Sequence, residues 1–299
     1  MSTENRIGVA VITRDRRDEL LRTLRRLEEL PEDPPVVVVD NASTDGTAEA
    51  VAREHPGVGL IRAGANLGAV GRNVAVEALG TPYVAFCDDD TWWEPGSLAL
   101  AASLLDAHPG LGSVTARILV EPGGEEDPIT PELRYSPVEG PDWLPGPALL
   151  GVLAGATVFR TRAFQEAGGF SRRLLLGGEE ELLALDMAAA GWWMCWNEDM
   201  VVRHAASPVR DPRRRRRSGI RNTLWTAWLR RPLPAALGHT WWVLRSSPCD
   251  AATALAVAEA VGGLPWVLRE RSPVPPRVER GLRALAGPRK RSSARSYVG

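Results

Sequence analysis

"YVAFCDDDTWWEPG", residues 83–96, sets an apolar run directly against three adjacent carboxylates, Asp88, Asp89 and Asp90. The run reads as a buried strand, and the acids as its carboxyl end. Three neighbouring carboxylates repel one another, so either they are solvated or something positive sits between them. In parallel α/β sheets ligands collect outside the carboxyl ends of the strands, where the strand order reverses. Hard divalent cations take oxygen ligands and usually keep water and substrate phosphate in their shell. One or two strand-end aspartates therefore suit an ion held against a diphosphate. The plainer reading is an acidic turn that caps the next helix.

Working outward from this stretch, the chain alternates. "IGVAVIT" (7–13) is apolar on both faces, as a buried parallel strand requires. Leu20, Leu21, Leu24, Leu27 and Leu30 then recur at helical spacing. "PPVVVVD" (34–40) and "VGLIRA" are further strands, with a short helix between them. "ANLGAVGRNVAVEALG" is a glycine-bearing loop entering a helix. A helix with Pro95 near its first turn and the strand "LGSVTARILV" follow residue 90. Alternation of this kind predicts a central, mostly parallel sheet flanked by helices, the α/β class. Residues 121–147 are rich in Pro, Gly and acid and read as a long surface loop. Other strand ends carry Thr13-Arg14, Asp40-Asn41 and His204, so polar groups converge on one edge of the sheet.

The formal net charge of −1 hides an asymmetry: residues 203–299 hold 20 Arg and Lys against 5 Asp and Glu, and residues 1–202 hold 16 against 32. A basic C-terminal part either packs on the acidic body or meets anionic lipid, phosphate or nucleic acid. Nucleic acid is disfavoured, because no recognition module accompanies the basic run and the acidic body repels a phosphate backbone. Three scattered cysteines with no CxxC give neither a disulfide framework nor a zinc site, and fit a reducing compartment. The N-terminus lacks signal-peptide character and no apolar run is long enough to span a bilayer. The expected location is cytoplasmic, with peripheral contact on the inner face of the plasma membrane as an option.

"VVVVDNASTDGT" (36–47) makes the pattern specific. It resembles the nucleotide-sugar-binding half of a family 2 glycosyltransferase of GT-A fold. The resemblance implies that Asp40 hydrogen-bonds the base and that Asp45 holds the D-x-S-x-D-G-T-like turn. It continues in "NLGAVGRN" (66–73), where Asn66, Arg72 and Asn73 fall beside the nucleotide, and in "CDDDTWWEPG", which resembles the DxD region. Thr13, Arg14, Asp40, Asn41, Asn66, Arg72, Asp88 and Asp89 are thereby implied to bind nucleotide. Asp88 and Asp90, with His204 ending "MVVRH", are implied to hold Mg²⁺ or Mn²⁺. The donor so implied is a nucleotide-sugar, UDP-linked by default, with dTDP- and GDP-linked donors as alternatives. The acceptor is a glycan, a lipid-linked sugar or a small molecule.

"GGEEELLALDMAAAGW" (177–192) resembles the family's G-E-D-x-D-L segment and supplies the base that an inverting transfer needs. Position matching makes Glu180 the candidate base and Glu179 its neighbour. Glu stands at 180 in place of the usual Asp, and Leu182 in place of a second acid. An acidic helix N-terminus favourable to the helix dipole is the plainer alternative. Trp192 and Trp193 either shape the acceptor pocket or belong to the core. In the basic segment, Arg210 or Arg221 neutralises the leaving diphosphate, or the arginine run lies on an anionic membrane with Trp225 and Trp228, or it is a solvated linker. Trp241, Trp242 and Trp266 add rings that suit either an interface or a core.

The domain reading is a GT-A unit over 1–205, with the nucleotide-binding half at 1–115 and the acceptor half at 116–205. A basic, Trp-containing helical extension over 206–285 and a disordered tail over 286–299 follow. Competing functions are a sugar nucleotidyltransferase, which would show a glycine-rich loop after the first strand, and a catalytically impaired nucleotide-binding scaffold on the membrane. A dinucleotide dehydrogenase is excluded by the lack of G-x-G-x-x-G after the first strand.

Overall fold

β1 (Ile7–Thr13) is buried at every residue and pairs in parallel on both sides, with β2 (Val36–Asp40) and with β4 (Tyr83–Asp88). Its alternation splits the core, since successive strand residues face opposite sides of a sheet. Val9 and Val11 pack with Leu20, Leu24 and Leu27 of α1 (Arg17–Glu28) on one face. Ala10 and Ile12 pack on the other, with a cluster of Phe86, Phe159, Phe164 and Phe170 whose ring centroids lie 4.9–5.9 Å apart. The computed structural model describes residues 6–205 and 212–291.

The remaining body elements are α2 (Thr47–Glu54), β3 (Gly59–Arg62), α3 (Val70–Leu79), β5 (Thr91–Trp93), α4 (Ser97–Ala107), β6 (Leu111–Val120), β7 (Glu125–Glu126), α5 (Thr130–Arg134), β8 (Thr157–Arg160), α6 (Thr161–Glu166), α7 (Glu179–Ala189) and β9 (Trp193–His204). The sheet order is β3-β2-β1-β4-β8-β6-β9-β5, with β7 on β6. β1 to β4 and the β6–β9 pair are parallel, as the alternation predicts. β8 runs antiparallel between β4 and β6, and the short β5 leaves β4 to pair antiparallel with β9. The sheet is thus mixed, and the carboxyl ends of β1, β2, β4, β6 and β9 share one edge. Strand order reverses between β1 and β4, which places the crevice between Thr13 and Asp88. The segment expected as a long loop contains β7 and α5.

Among the described residues the C-terminal part is five helices: α8 (Pro212–Arg230), α9 (Leu233–Ser246), α10 (Ala251–Gly262), α11 (Leu264–Arg269) and α12 (Pro276–Arg291). They pack on the body. Ile220, Leu224, Trp225, Leu229, Val243, Ala256 and Val267 form a third core with Leu174 and Leu182 of the body. Val274, Val278 and Leu282 join the second core. Arg230 pairs with Asp186, and Arg277 donates to the Ala188 carbonyl at 2.7 Å. α12 continues through Arg291, so residues 286–291 are helix and not the start of a tail; residues 292–299 lie outside the described residues.

Candidate active site

Because β1, β2, β4 and β9 run in one direction, Thr13, Asp40, Asp88 and His204 arrive at a common edge. The three aspartates do not share one environment. Asp88 pairs with the buried Arg72 guanidinium, which lies over Phe170 at 5.5 Å and Phe86 at 5.9 Å. Asp89 accepts from the Thr13 hydroxyl at 3.0 Å and lies 3.0 Å from Arg16 Nε. Burial raises its carboxyl to about 7 against the opposing pull of Arg16. Asp90 accepts from Arg16 at 2.8 Å, and His204 Nε2 stands 3.7 Å from its other oxygen.

One side of the crevice is a rim of three interlocked loops. Asp40, 4% exposed, receives the Ser43 backbone N–H at 3.1 Å and the Ser43 hydroxyl. Asn41 is buried and ties the 66–68 loop by accepting from Leu67 N at 3.1 Å and donating to Gly68 O at 3.3 Å. Asn66 accepts from Gly68 N at 3.0 Å. Asp15, at φ 51, receives Thr44 N at 2.6 Å, and that bond holds its carboxyl below the usual range. Asp45 accepts from Arg17 N and Thr47 N, each at 3.1 Å, and so holds its turn. Arg14 is exposed on this rim, 3.4 Å from Asp15. Asn73 is committed elsewhere, bonding both the N–H and the carbonyl of Phe170 at 2.9 Å.

α7 brings the glutamates. Gly177 and Gly178, at φ 93 and 86, turn the chain into the helix. The half-buried Glu180 accepts from Ala154 N at 2.5 Å. The next residue, Gly155, comes so close to Asp88 that a Cβ there would lie 2.8 Å from Asp88 Oδ2. The short 3-10 turn Ala154–Ala156 thus connects Glu180 to Asp88. Burial, and then the charge of Glu179, pushes the Glu180 carboxyl up to about 7. Burial also raises Glu179, which is 6% exposed and whose Oε2 has no hydrogen-bond partner among the described residues. Arg72 and Asp88 act electrostatically on both glutamates.

Five carboxylic acids (Asp88, Asp89, Asp90, Glu179, Glu180) therefore surround two buried or half-buried guanidiniums, Arg16 and Arg72. Among the described residues no three His, Cys, Asp or Glu side chains form a group that holds a metal by themselves. The donor set is nonetheless hard oxygen with one imidazole, which fits an Mg²⁺ or Mn²⁺ ion completing its shell from substrate phosphate and water.

Two expectations fail. Trp193 pairs with Leu111 at the start of β6, whereas His204 pairs with Val120 at its end, so Trp192 and Trp193 stand at the opposite edge of the sheet from the aspartates. Trp192 donates to Glu166 at 2.9 Å, and Arg277 lies 5.3 Å over Trp193; neither shapes an acceptor pocket beside Glu180. Arg221 lies 4.7 Å over Trp225 and 3.4 Å from Glu259, inside the helical layer and not at a diphosphate. Arg210 lies outside the described residues. Sequence reasoning missed Arg16 and Gly155. Arg16 is one arginine of several after β1, and Gly155 sits in "GVLAGA" (151–156), which carries no polar side chain to mark it. A cleft of 390 Å³ lined by Arg26, Trp92, Glu94, Glu121 and Arg203 opens on the other face of β9, since Arg203 and His204 point to opposite sides.

The chain is 29% identical over 245 residues, 69% of its own length and 78% of the relative's, to N-acetylglucosaminyl-diphospho-decaprenol L-rhamnosyltransferase of Mycobacterium tuberculosis. Among solved structures, a mannosyltransferase of Pyrobaculum calidifontis in complex with GDP-mannose and Mn²⁺ superposes with a TM-score of 0.56, at 24% identity over 94% of this chain and 75% of that one. TarS 1–349 of S. aureus in complex with UDP-GlcNAc superposes at 0.59, with 17% identity over 92% of this chain and 83% of that one. These structures show the fold, GT-A. The sequence model described as Glycosyl transferase family 2 matches residues 8–167. More than half of the chain, including every strand-end aspartate, lies in that match, and the protein is a glycosyltransferase belonging to family 2.

Proposed function

We propose that the protein transfers a sugar from a nucleoside-diphosphate donor to an acceptor hydroxyl by one inverting displacement, with Glu180 as general base. The observation that carries this reading is the Ala154–Gly155 connection, which sets a carboxyl raised to about 7 beside a strand-end aspartate. A base poised near neutrality is what proton abstraction from a hydroxyl at physiological pH requires. Glu180 takes the hydroxyl proton, the alkoxide oxygen bonds to the anomeric carbon, and the diphosphate departs with the electron pair of the broken bond. Ala154 N–H fixes one carboxyl oxygen, so the group meets the acceptor in one orientation. Arg72 offsets the charge of Asp88 and both glutamates. Asp40 and Asn41, with the loops at Arg14 and Asn66, receive the nucleoside. Asp88 and Asp90, with His204 adjacent, are the residues that would hold Mg²⁺ or Mn²⁺. Such an ion, when bound, supplies charge neutralisation on the departing diphosphate.

The M. tuberculosis relative's name includes a diphospho-decaprenol acceptor. On that basis the acceptor proposed here is a sugar carried on a lipid diphosphate. The donor is a UDP-sugar by default, with dTDP- and GDP-sugars as alternatives. No helix among the described residues is long and apolar enough to cross a membrane. The proposed location is the cytoplasm, with peripheral contact on the inner face of the plasma membrane. Thermal unfolding with UDP, dTDP or GDP, with and without Mn²⁺, identifies base and metal together. Release of nucleoside diphosphate from the matching sugar donor then tests turnover. Loss of release in Asp90→Ala and Glu180→Gln is the expected outcome. A wild-type chain that binds nucleotide and never releases product refutes the enzymatic reading.

A further inference from the structure

α9 is an amphipathic helix with its apolar side turned outward. Val243 packs in the third core, and Ala236 is buried as well. Leu233 (53% exposed), Leu237 (57%), Trp241 (64%) and Leu244 (41%) stand on the surface. Their spacing of four, four and three residues puts them on one stripe of the helix. Single exposed apolar residues are ordinary, but a contiguous stripe marks an interaction face.

Charge identifies the occupant. Between Asp211 and Asp250 the sequence holds nine arginines and no acid. Arg216, Arg217, Arg221, Arg230 and Arg231 are paired inward to Asp250, Glu259, Asp186 and Glu279. Arg245 is exposed one residue beyond Leu244, and α9 itself carries no acidic residue. A second copy laid on the same stripe would set two acid-free helices, each with an exposed Arg245, against each other. An anionic headgroup layer complements them, and an exposed indole on a helix too short to span suits the water–lipid boundary.

We propose that the outer face of α9 is a membrane-docking face that lies in the plane of an anionic bilayer. Leu233, Leu237, Trp241 and Leu244 enter the acyl boundary, and Arg245 stays among the headgroups. This rests on the proposed lipid-linked acceptor and adds where the bilayer sits. α9 packs on α8, and Asn222 of α8 donates to Gly177 O at 2.6 Å, in the glycine pair that leads into the glutamates. A docked α9 therefore holds Glu180 at a fixed height above the lipid. Trp225 is not a docking ring, because it is 9% exposed and donates to Ala260 O at 3.0 Å.

The test is co-sedimentation with phosphatidylcholine vesicles, with and without roughly a third phosphatidylglycerol. The arms are the full chain, the double variant Leu237→Gln/Trp241→Gln, and Tyr135→Gln as a control on an exposed ring elsewhere. Expected are binding of the wild type and of Tyr135→Gln to the anionic vesicles, weak binding to phosphatidylcholine alone, and at least a tenfold loss in the double variant. The unfolding midpoint, and its rise with nucleoside diphosphate and Mn²⁺, is expected to match wild type in both variants, which separates docking from the site. Failure of the glycosyltransferase reading leaves the vesicle arms unaffected. Equal vesicle binding by the double variant overturns the proposal. So does a wild-type dimer in sedimentation velocity without lipid that the double variant abolishes, since the stripe then belongs to a second copy.

Discussion

Glu180→Gln is the sharpest probe of the proposed chemistry, because the raised carboxyl gives it a pH signature of its own. With its carboxyl near 7, Glu180 is about one-tenth ionised at pH 6 and about nine-tenths at pH 8. A base works in its ionised form, so kcat/KM should climb roughly tenfold across that interval and level off above it. A glutamate at its ordinary value near 4.3 would be almost wholly ionised already at pH 6 and give a flat profile. Glutamine keeps the shape and the acceptor oxygen facing Ala154 N, so the fold should persist. It cannot take a proton, and the loss expected for a general base is about 10²–10⁴-fold. Release of nucleoside diphosphate, followed from pH 5.5 to 8.5 in wild type and variant, reads both quantities.

Glu179→Gln supplies an internal check. The charge of Glu179 is the second cause of the raised Glu180 value, after burial. Removing it should move the acid limb of the wild-type profile toward lower pH while leaving the plateau within a few-fold. Were Glu179 the base, its own replacement would abolish the plateau and Glu180→Gln would not. A wild-type profile flat between pH 6 and 8, or a Glu180→Gln variant within threefold of wild type, refutes the reasoning.

Gly155→Ala places a methyl 2.8 Å from Asp88 Oδ2, so the carboxylate must turn; the Mn²⁺-dependent rise in unfolding midpoint with nucleoside diphosphate should shrink while the midpoint without ligand changes little. Gly68→Ala sets a Cβ 2.2 Å from the Leu175 carbonyl at φ +57; left-handed strain and backbone overlap together should cost about 2–4 kcal/mol in urea denaturation. Trp225→Ala empties the centre of the third core and should cost about 3–5 kcal/mol in the same assay. Trp193→Ala, at the far edge of the sheet, should leave kcat/KM for the acceptor within twofold of wild type; a large KM effect would restore it to the acceptor site.

The N-terminal half of the sheet was legible because its signals are local. An apolar run followed by acid fixes a strand end, and "VVVVDNASTDGT" carries strand, turn and helix start in twelve residues. Glu179 and Glu180 were legible by position, and the structure adds the turn that aligns one of them with Asp88. What escaped depends on direction and distance. "TVFR" is too short to reveal that it runs antiparallel between two parallel strands. The Trp192-Trp193 pair lies eleven residues before His204, which looks close in sequence. Along an extended strand that interval is about 35 Å, enough to carry the two ends to opposite edges of the sheet. Arg16 was missed because its role comes from the close approach of the β1 and β4 ends, not from its neighbours in the chain.

The C-terminal layer shows why tryptophan content alone misleads. α8 and α9 each carry two tryptophans, and both read as interface helices from composition. In α8 the polar and apolar residues are segregated along the axis: arginines fill its first turns, while Ile220, Leu224, Trp225 and Leu229 fall in its second half and close over Leu174 and Leu182. Arg216, Arg217, Arg221 and Arg230 pair with acids of the layer and the body, so that part of its charge serves as internal glue. α9 segregates around the axis instead, with small or branched residues inward and Leu233, Leu237, Trp241 and Leu244 outward. Only the second arrangement leaves an apolar stripe in solvent, because a helix hides its apolar residues where they can reach a core and exposes them where a different partner repays the cost. The helix that advertises itself by charge is therefore the one that builds the protein, and the quieter helix after Pro232 is the one left facing outward.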